Sequence, residues 1–301
     1  DCSGHVGVPE IMASGQTKPA IRTVGVLGCG LMGSGIAQVC AQTGYRTIVR
    51  EVDTSAVTAG LGRIETFLSG AVTRNKISAE QRDSTLAAIS GTTALDGLAE
   101  CDLVIEAIVE DLDVKRDVYV ELDRLVGSDT IFASNTSSLC ITEMASVTSR
   151  PDRFLGLHFF SPVPIMKMVE VVRGLATSDA TYQQALAFAR SLGKDPVTAP
   201  DQPGFIVNRL LIPYLLHAIR AYESGMGTIE DIDKSMILGC GHPMGPFALL
   251  DFVGLDTAYY IANSMYDEFR DPLYAAPPLL KRMVLAGHLG RKSGRGFHTY
   301  S

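Results

Sequence analysis

The sequence predicts an α/β protein: a doubly wound, mostly parallel sheet followed by an all-helical C-terminal domain. Three observations predict it. Short β-branched runs alternate with helical periods as far as residue 198. A glycine-rich turn joins the first strand to the first helix. Beyond Gly204 only helical periods remain. A chain of 301 residues is long for one core and comfortable for two. The expected division is a tail over 1–20, a sheet domain over 21–200 and a helical domain over 201–301. The Pro- and Gly-containing stretch Ala199-Pro200-Asp201-Gln202-Pro203-Gly204 marks the boundary.

Taken in order, residues 22–27 form a β-branched run and hence a strand, and 33–43 a helix that Gly44 ends. A second strand covers 46–50, with helices at 54–70 and 79–89. A third strand, 102–107, leads into a helix over 111–126. A strand at 131–134 precedes a short helix at 141–147. Two strands, 154–160 and 166–172, flank a Pro-rich turn; a helix over 178–192 and a strand at 195–198 close the series. Helices are then expected at 204–223, 228–238, 245–253, 256–269 and 277–286.

Composition narrows the function classes. A net charge of −7 disfavours a nucleic-acid or anionic-membrane surface. The longest apolar stretch, 210–219, contains Pro213 and His217 and is too short to span a bilayer. Six scattered cysteines show neither a CxxC pair nor zinc spacing, so no metal site is expected. They suit a reducing compartment, the cytoplasm or, in a eukaryote, the mitochondrial matrix.

Gly28-Cys29-Gly30-Leu31-Met32-Gly33 follows a strand and opens a helix, and Glu51 ends the next strand. That context is what a Rossmann-type dinucleotide site requires. Gly28 allows the tight turn, Gly30 lets backbone approach a pyrophosphate, and Gly33 lets helix and strand pack closely. The pyrophosphate meets free N–H groups at the helix start, around Leu31 and Met32. Glu51 would accept the adenosine ribose hydroxyls and repel a 2′-phosphate. This favours NAD over NADP, although Arg50 blunts the repulsion.

In Phe154-Leu155-Gly156-Leu157-His158-Phe159-Phe160, His158 shares a strand face with Phe154, Gly156 and Phe160. Glu170 lies among Met166, Met168 and Val172 on a face of the following strand. A carboxylate in such company needs a partner. A hairpin centred near Pro164 would bring it opposite His158. An imidazole so oriented can take and return an alcohol proton; a satisfied core histidine with a structural acid fits the same pattern. Ser134-Asn135-Thr136-Ser137-Ser138 lies past the carboxyl end of a strand, on the edge that faces ligands in open α/β sheets. It could bind a substrate oxygen or the nicotinamide, or simply cap a helix. Asn208, with Phe205, Leu211 and Ile212 as helical neighbours, needs hydrogen bonds from protein or ligand.

These segments, with Val104-Ile105-Glu106-Ala107-Ile108-Val109-Glu110, Pro162-Val163-Pro164, Pro243-Met244-Gly245-Pro246 and Gly294-Arg295-Gly296-Phe297, resemble the short-chain L-3-hydroxyacyl-CoA dehydrogenase family, 3-hydroxybutyryl-CoA dehydrogenases included. The resemblance runs from residue 21 to the end. It implies reversible oxidation of a (3S)-3-hydroxyacyl-CoA to the 3-oxoacyl-CoA with NAD. His158 resembles the catalytic base and Glu170 its orienting acid, while Ser137 and Asn208 resemble groups that hold the substrate. Glu110, Lys115, Asn135 and Lys292 resemble cofactor-side contacts. Arg74 falls where the family turns a basic residue toward CoA. A homodimer through the C-terminal helices is also implied. The family often reads His-Phe-Phe-Asn-Pro; Ser161 here replaces the Asn and keeps only a hydroxyl. A related 3-hydroxyacyl-carrier-protein or 3-hydroxy-acid dehydrogenase, and a catalytically silent dinucleotide-binding protein, are the alternatives.

Overall fold

The structure, a computed structural model, describes residues 21–300; the expected tail over 1–20 lies outside them. Eight strands form one sheet in the order β3-β2-β1-β4-β5-β6-β7-β8. They are β1 (Thr23–Leu27), β2 (Arg46–Arg50), β3 (Ile89–Thr92), β4 (Leu103–Glu106), β5 (Ile131–Ser134), β6 (Phe154–Phe159), β7 (Met168–Arg173) and β8 (Asp195–Pro200). All neighbours pair in parallel except β6 and β7. The chain runs outward from β1 to β3 and returns to β4. The crevice between β1 and β4 is therefore the switch point where such sheets bind ligands.

Helices α1 (Leu31–Gln42), α2 (Thr54–Thr73) and α6 (Asp179–Ser191) cover one face. Val26, Ile36, Leu68, Ile105 and Leu157 join the core beneath them. Helices α3 (Ala79–Ala87), α4 (Leu112–Leu125) and α5 (Ile141–Ala145) complete this half. On the α4 face, Tyr119 packs edge-on against Phe154 with ring centroids 4.6 Å apart, and Phe132 completes the cluster. Burying each such ring is worth about 1.5–3 kcal/mol.

The C-terminal half contains α7 (Val207–Glu223), α8 (Ile229–Cys240), α9 (Pro246–Val253), α10 (Leu255–Phe269) and α11 (Pro278–Leu285), with a separate core around Leu215, Phe247 and Met265. No helix among the described residues is long and apolar enough to cross a membrane.

Among the boundaries that differ from expectation, three stand out. The helix expected to run to 89 ends at Ala87, and Ile89–Thr92 is an edge strand paired only with β2. The helix expected from 204 begins at Val207, because Gly204 (φ +81°) and Phe205 (φ +45°) are left-handed. The strand expected from 166 begins at Met168, since 162–166 form a turn in which the Ile165 and Met166 N–H groups both donate to the Pro162 carbonyl.

Candidate active site

At the glycine turn Gly28 takes φ +86°, a conformation side chains resist. A Cβ on Gly33 would lie 1.8 Å from the Gly28 carbonyl oxygen, so helix and strand meet only with glycine there. A Cβ on Gly30 would meet nothing within 4 Å, and no side chain caps α1. The turn is thus open where a pyrophosphate would approach. The Glu51 carboxylate takes the Cys29 N–H at 2.6 Å, while the Arg63 guanidinium donates to the Cys29 carbonyl. Burial pushes the Cys29 thiol up to about 11, so it stays protonated and unreactive.

The β6–β7 register pairs His158 directly with Glu170, as the sequence led us to expect. His158 Nδ1 lies 2.7 Å from Glu170 Oε2, and both residues are buried. Glu170 Oε1 accepts the N–H groups of Ile206 (3.0 Å) and Val207 (2.9 Å) at the start of α7. With both oxygens accepting, Nδ1–H donates to the carboxylate, which leaves Nε2 with its lone pair. Nε2 faces Ser137 Oγ at 3.0 Å. The rings of Phe160 and Phe205 flank the imidazole at 4.6 and 5.5 Å.

The loop after β5 is held from beneath. Glu110 Oε1 accepts the Thr136 hydroxyl and the Ser137 N–H. Asn135 Oδ1 accepts the Phe159 N–H at 2.9 Å, tying the loop to β6. The helix-cap use of these hydroxyls is not what the structure shows: Asp201 accepts the Ile141 and Thr142 N–H groups at the start of α5. Ser138 Oγ is buried with no partner among the described residues.

Lys115 is almost fully buried, with Nζ 2.5 Å from Glu106 and 3.1 Å from Glu110. Burial alone would pull this ammonium down, but the two carboxylates outweigh it and hold it above its ordinary value. Sequence reasoning missed Glu106; the available signal was a carboxylate inside an apolar strand.

A cleft of about 490 Å³ between the sheet edge and α10 is lined by Met32, Glu110, Lys115, Asn135, Ser137 and Asp256. Tyr260 OH crosses it to donate to the Glu110 carbonyl. Lys292 lies nearby, paired with Asp256 at 2.7 Å. Asn208, half-buried, is the second residue of α7, directly after Val207 on Glu170.

A second groove, about 560 Å³, runs between α2 and the Ser161–Pro164 turn; Leu31, Arg63, Phe67, Ser161 and Val163 are among its walls. Arg74 is exposed beyond it, folded back over Gly70 at the end of α2. The structure therefore brings together Ser137, His158 and Glu170, with Asn208 one residue past the Val207 N–H that Glu170 accepts. It does not bring Arg74 into either lining.

Comparison with known proteins agrees in sequence and in shape. Residues 23–202 match the 3-hydroxyacyl-CoA dehydrogenase NAD binding domain and residues 204–300 the 3-hydroxyacyl-CoA dehydrogenase C-terminal domain. The 3-hydroxybutyryl-CoA dehydrogenase of Mycobacterium tuberculosis is 50% identical over 283 residues, 93% of this chain and 99% of that one. The human mitochondrial hydroxyacyl-coenzyme A dehydrogenase is 45% identical over 94% of this chain and 92% of its own. The crystal structure of (S)-3-hydroxybutyryl-CoA dehydrogenase from Ralstonia eutropha superposes with a TM-score of 0.89 at 45% identity, covering 94% of this chain and all of that one. With both domains matched, and with the glycine turn and imidazole–carboxylate pair on one sheet edge, the chain belongs to the 3-hydroxyacyl-CoA dehydrogenase family, a family of NAD-dependent oxidoreductases.

Proposed function

We propose that the protein reversibly oxidises a short (3S)-3-hydroxyacyl-CoA to the 3-oxoacyl-CoA with NAD, with His158 as general base. One observation carries this reading: His158 has Nδ1 on Glu170 and turns Nε2 toward Ser137 beside the cleft. The short acyl chain is suggested by relatives named for 3-hydroxybutyryl-CoA.

Gly28, Gly30, Leu31, Met32 and Gly33 would hold the pyrophosphate of NAD, and Glu51 the adenosine ribose with the lone pairs Cys29 leaves free. Glu110, Asn135 and Lys292 stand on the nicotinamide side. Lys115 is committed to two carboxylates, so it would act by fixing Glu110 rather than by offering a free ammonium. When bound, NAD supplies the acceptor for the hydride that leaves C3. His158 Nε2 takes the hydroxyl proton in the same step and returns it to the oxygen in reverse. Glu170 holds the ring in the required tautomer and stabilises the imidazolium. Ser137 and Asn208 position the substrate oxygen and its neighbours, which converts binding energy into orientation.

The acyl-CoA would lie in the groove along α2. Its lining residues Ala59, Arg63 and Phe67 repeat at helical spacing, and Arg74 continues that face about 10 Å beyond Phe67. There its guanidinium would meet a CoA phosphate. We further propose a division into domains at 200/201 and a homodimer through the C-terminal helices. On α8 only Asp233 is buried, while Leu238 is 73% exposed. Leu238→Asp should yield monomers in light scattering; an unchanged mass would rule out that face. The free cysteines Cys29, Cys40, Cys101, Cys140 and Cys240 suit a reducing compartment, the cytoplasm or a mitochondrial matrix.

The test is NADH absorbance with acetoacetyl-CoA and then with free acetoacetate. Oxidation with the thioester alone is expected. Oxidation with free acetoacetate at a similar rate would favour a 3-hydroxy-acid dehydrogenase, and none with any 3-oxoacyl thioester would reject the proposal.

A further inference from the structure

The pairing of β6 with β7 holds the imidazole and the carboxylate, and the turn between these strands forms one wall of the α2 groove. One side of the turn rests on α1. Val163 is buried there, and a Cβ on Gly35 would come within 2.8 Å of it. The other side rests on a charge. Lys194 is 6% exposed, and its ammonium donates to the Val163 carbonyl at 2.5 Å and the Met166 carbonyl at 2.7 Å. No carboxylate pairs with it among the described residues.

This is an unusual use of a lysine. A buried ammonium is normally neutralised by an acid, because leaving it among neutral groups is costly. Burial accordingly pulls Lys194 below the ordinary lysine value. A side chain kept at such a site needs a compensating role, and the two carbonyls it satisfies bracket the Val163–Met166 turn. The backbone of Lys194 is itself anchored. Gly193 turns left-handed at φ +70° after α6, the Lys194 N–H returns to the Ala189 carbonyl, and the Asp195 N–H donates to the Lys167 carbonyl. The lysine thus joins the end of α6 and the start of β8 to the turn.

We propose that Lys194 is a positioning residue for the acyl-CoA groove, clamping the Ser161–Met166 turn so that it forms a fixed wall opposite α2. This rests on the assignment of that groove to the acyl-CoA. The cofactor turn at Gly28–Gly33 lies on β1 and the start of α1, and the Lys194 ammonium contacts neither. Loosening the turn therefore weakens the hold on one substrate and spares the other.

The experiment is steady-state kinetics of Lys194→Met and Lys194→Arg with acetoacetyl-CoA and NADH, after turnover by the wild type has been established. In Lys194→Met the KM for acetoacetyl-CoA should rise about tenfold, with the KM for NADH within about twofold of wild type. Lys194→Arg, which restores N–H donors, should recover most of the loss. A merely structural lysine would lower the melting temperature and leave the ratio of the two KM values unchanged, and that result overturns the proposal. If Lys194→Met does not fold, the same ratio in Lys194→Gln decides. No turnover by the wild type would sink the acyl-CoA reading itself, and the clamp's role with it. Wild-type turnover with an unchanged KM ratio in the variants would sink the clamp alone.

Discussion

Two imidazole–carboxylate pairs in this protein are built alike and sit in different places. In the sheet domain Glu170 holds His158 at 2.7 Å and also takes two N–H groups at the start of α7. In the helical domain Asp233 holds His298 at 2.9 Å and takes the Phe247 and Ala248 N–H groups at the start of α9. Each carboxylate fixes a helix start and a ring together. The difference lies in the surroundings of each residue. His158 turns Nε2 toward Ser137 beside the cleft, whereas His298 also places its backbone N–H on Asp251, in a network that straps the C-terminal segment to α9. A histidine on a buried acid therefore says little by itself about catalysis; what matters is where the free nitrogen points.

The sharpest way to break this contrast is to delete both rings. His158→Gln should lower kcat about a thousandfold while NADH binding, read by fluorescence titration, stays within about twofold. His298→Gln should leave kcat within about twofold. Equal losses in the two variants would make the pairs equivalent. The acids come next. Glu170→Gln should reduce kcat about a hundredfold and also lower the melting temperature, because a helix start loses its charged acceptor. Asp233→Asn should lower the melting temperature by a similar few degrees without touching kcat. A kinetic defect in Asp233→Asn would show that the helical pair reaches the chemistry.

How far could this be read beforehand? The His158–Glu170 pairing was legible because strand alternation and a Pro-rich turn leave a narrow choice of register. The glycine turn was legible because each glycine answers a separate steric demand. Strand β3 was not: Ile-Ser-Gly-Thr at a half-exposed sheet edge has no apolar alternation, and Ile89 looked like the end of the preceding helix. Glu106 was hidden inside the apolar run Leu-Val-Ile-Glu, and its partner Lys115 comes nine residues later in a helix. The capping acid Asp201 and the clamping Lys194 act on segments distant in sequence, Asp201 on Ile141 and Lys194 on Val163. No local pattern announces such contacts. Asp233 and His298 stand 65 residues apart, which hid the second pair for the same reason.

Two smaller predictions sharpen the comparison. Ser137→Ala removes the partner of the catalytic nitrogen and should lower kcat about tenfold with little change in melting temperature. Asp123 supplies a control acid, paired with Arg150 rather than with an imidazole. Burial pushes its carboxyl up, but the Ser149 N–H and the Arg150 guanidinium outweigh this and hold it below the ordinary 3.8. A depressed carboxyl stabilises the fold above its unfolded value and loses that contribution as pH falls through the folded one. Urea titrations of wild type and Asp123→Asn should therefore differ above pH 3.8 and converge below it, with kcat unaltered throughout. A gap that widened in acid would contradict the ion-pair assignment.

The claim on which the rest depends is that His158 Nε2 exchanges a proton with the substrate alcohol. The most direct measurement is kcat/KM against pH in both directions, with 3-hydroxybutyryl-CoA and NAD and with acetoacetyl-CoA and NADH. Alcohol oxidation should fall on the acid side along a limb of unit slope, because it needs the neutral ring. Ketone reduction should fall on the alkaline side, because it needs the imidazolium. Both limbs should vanish from the residual activity of His158→Gln. Limbs that survive in that variant would place the proton on another group and contradict the account.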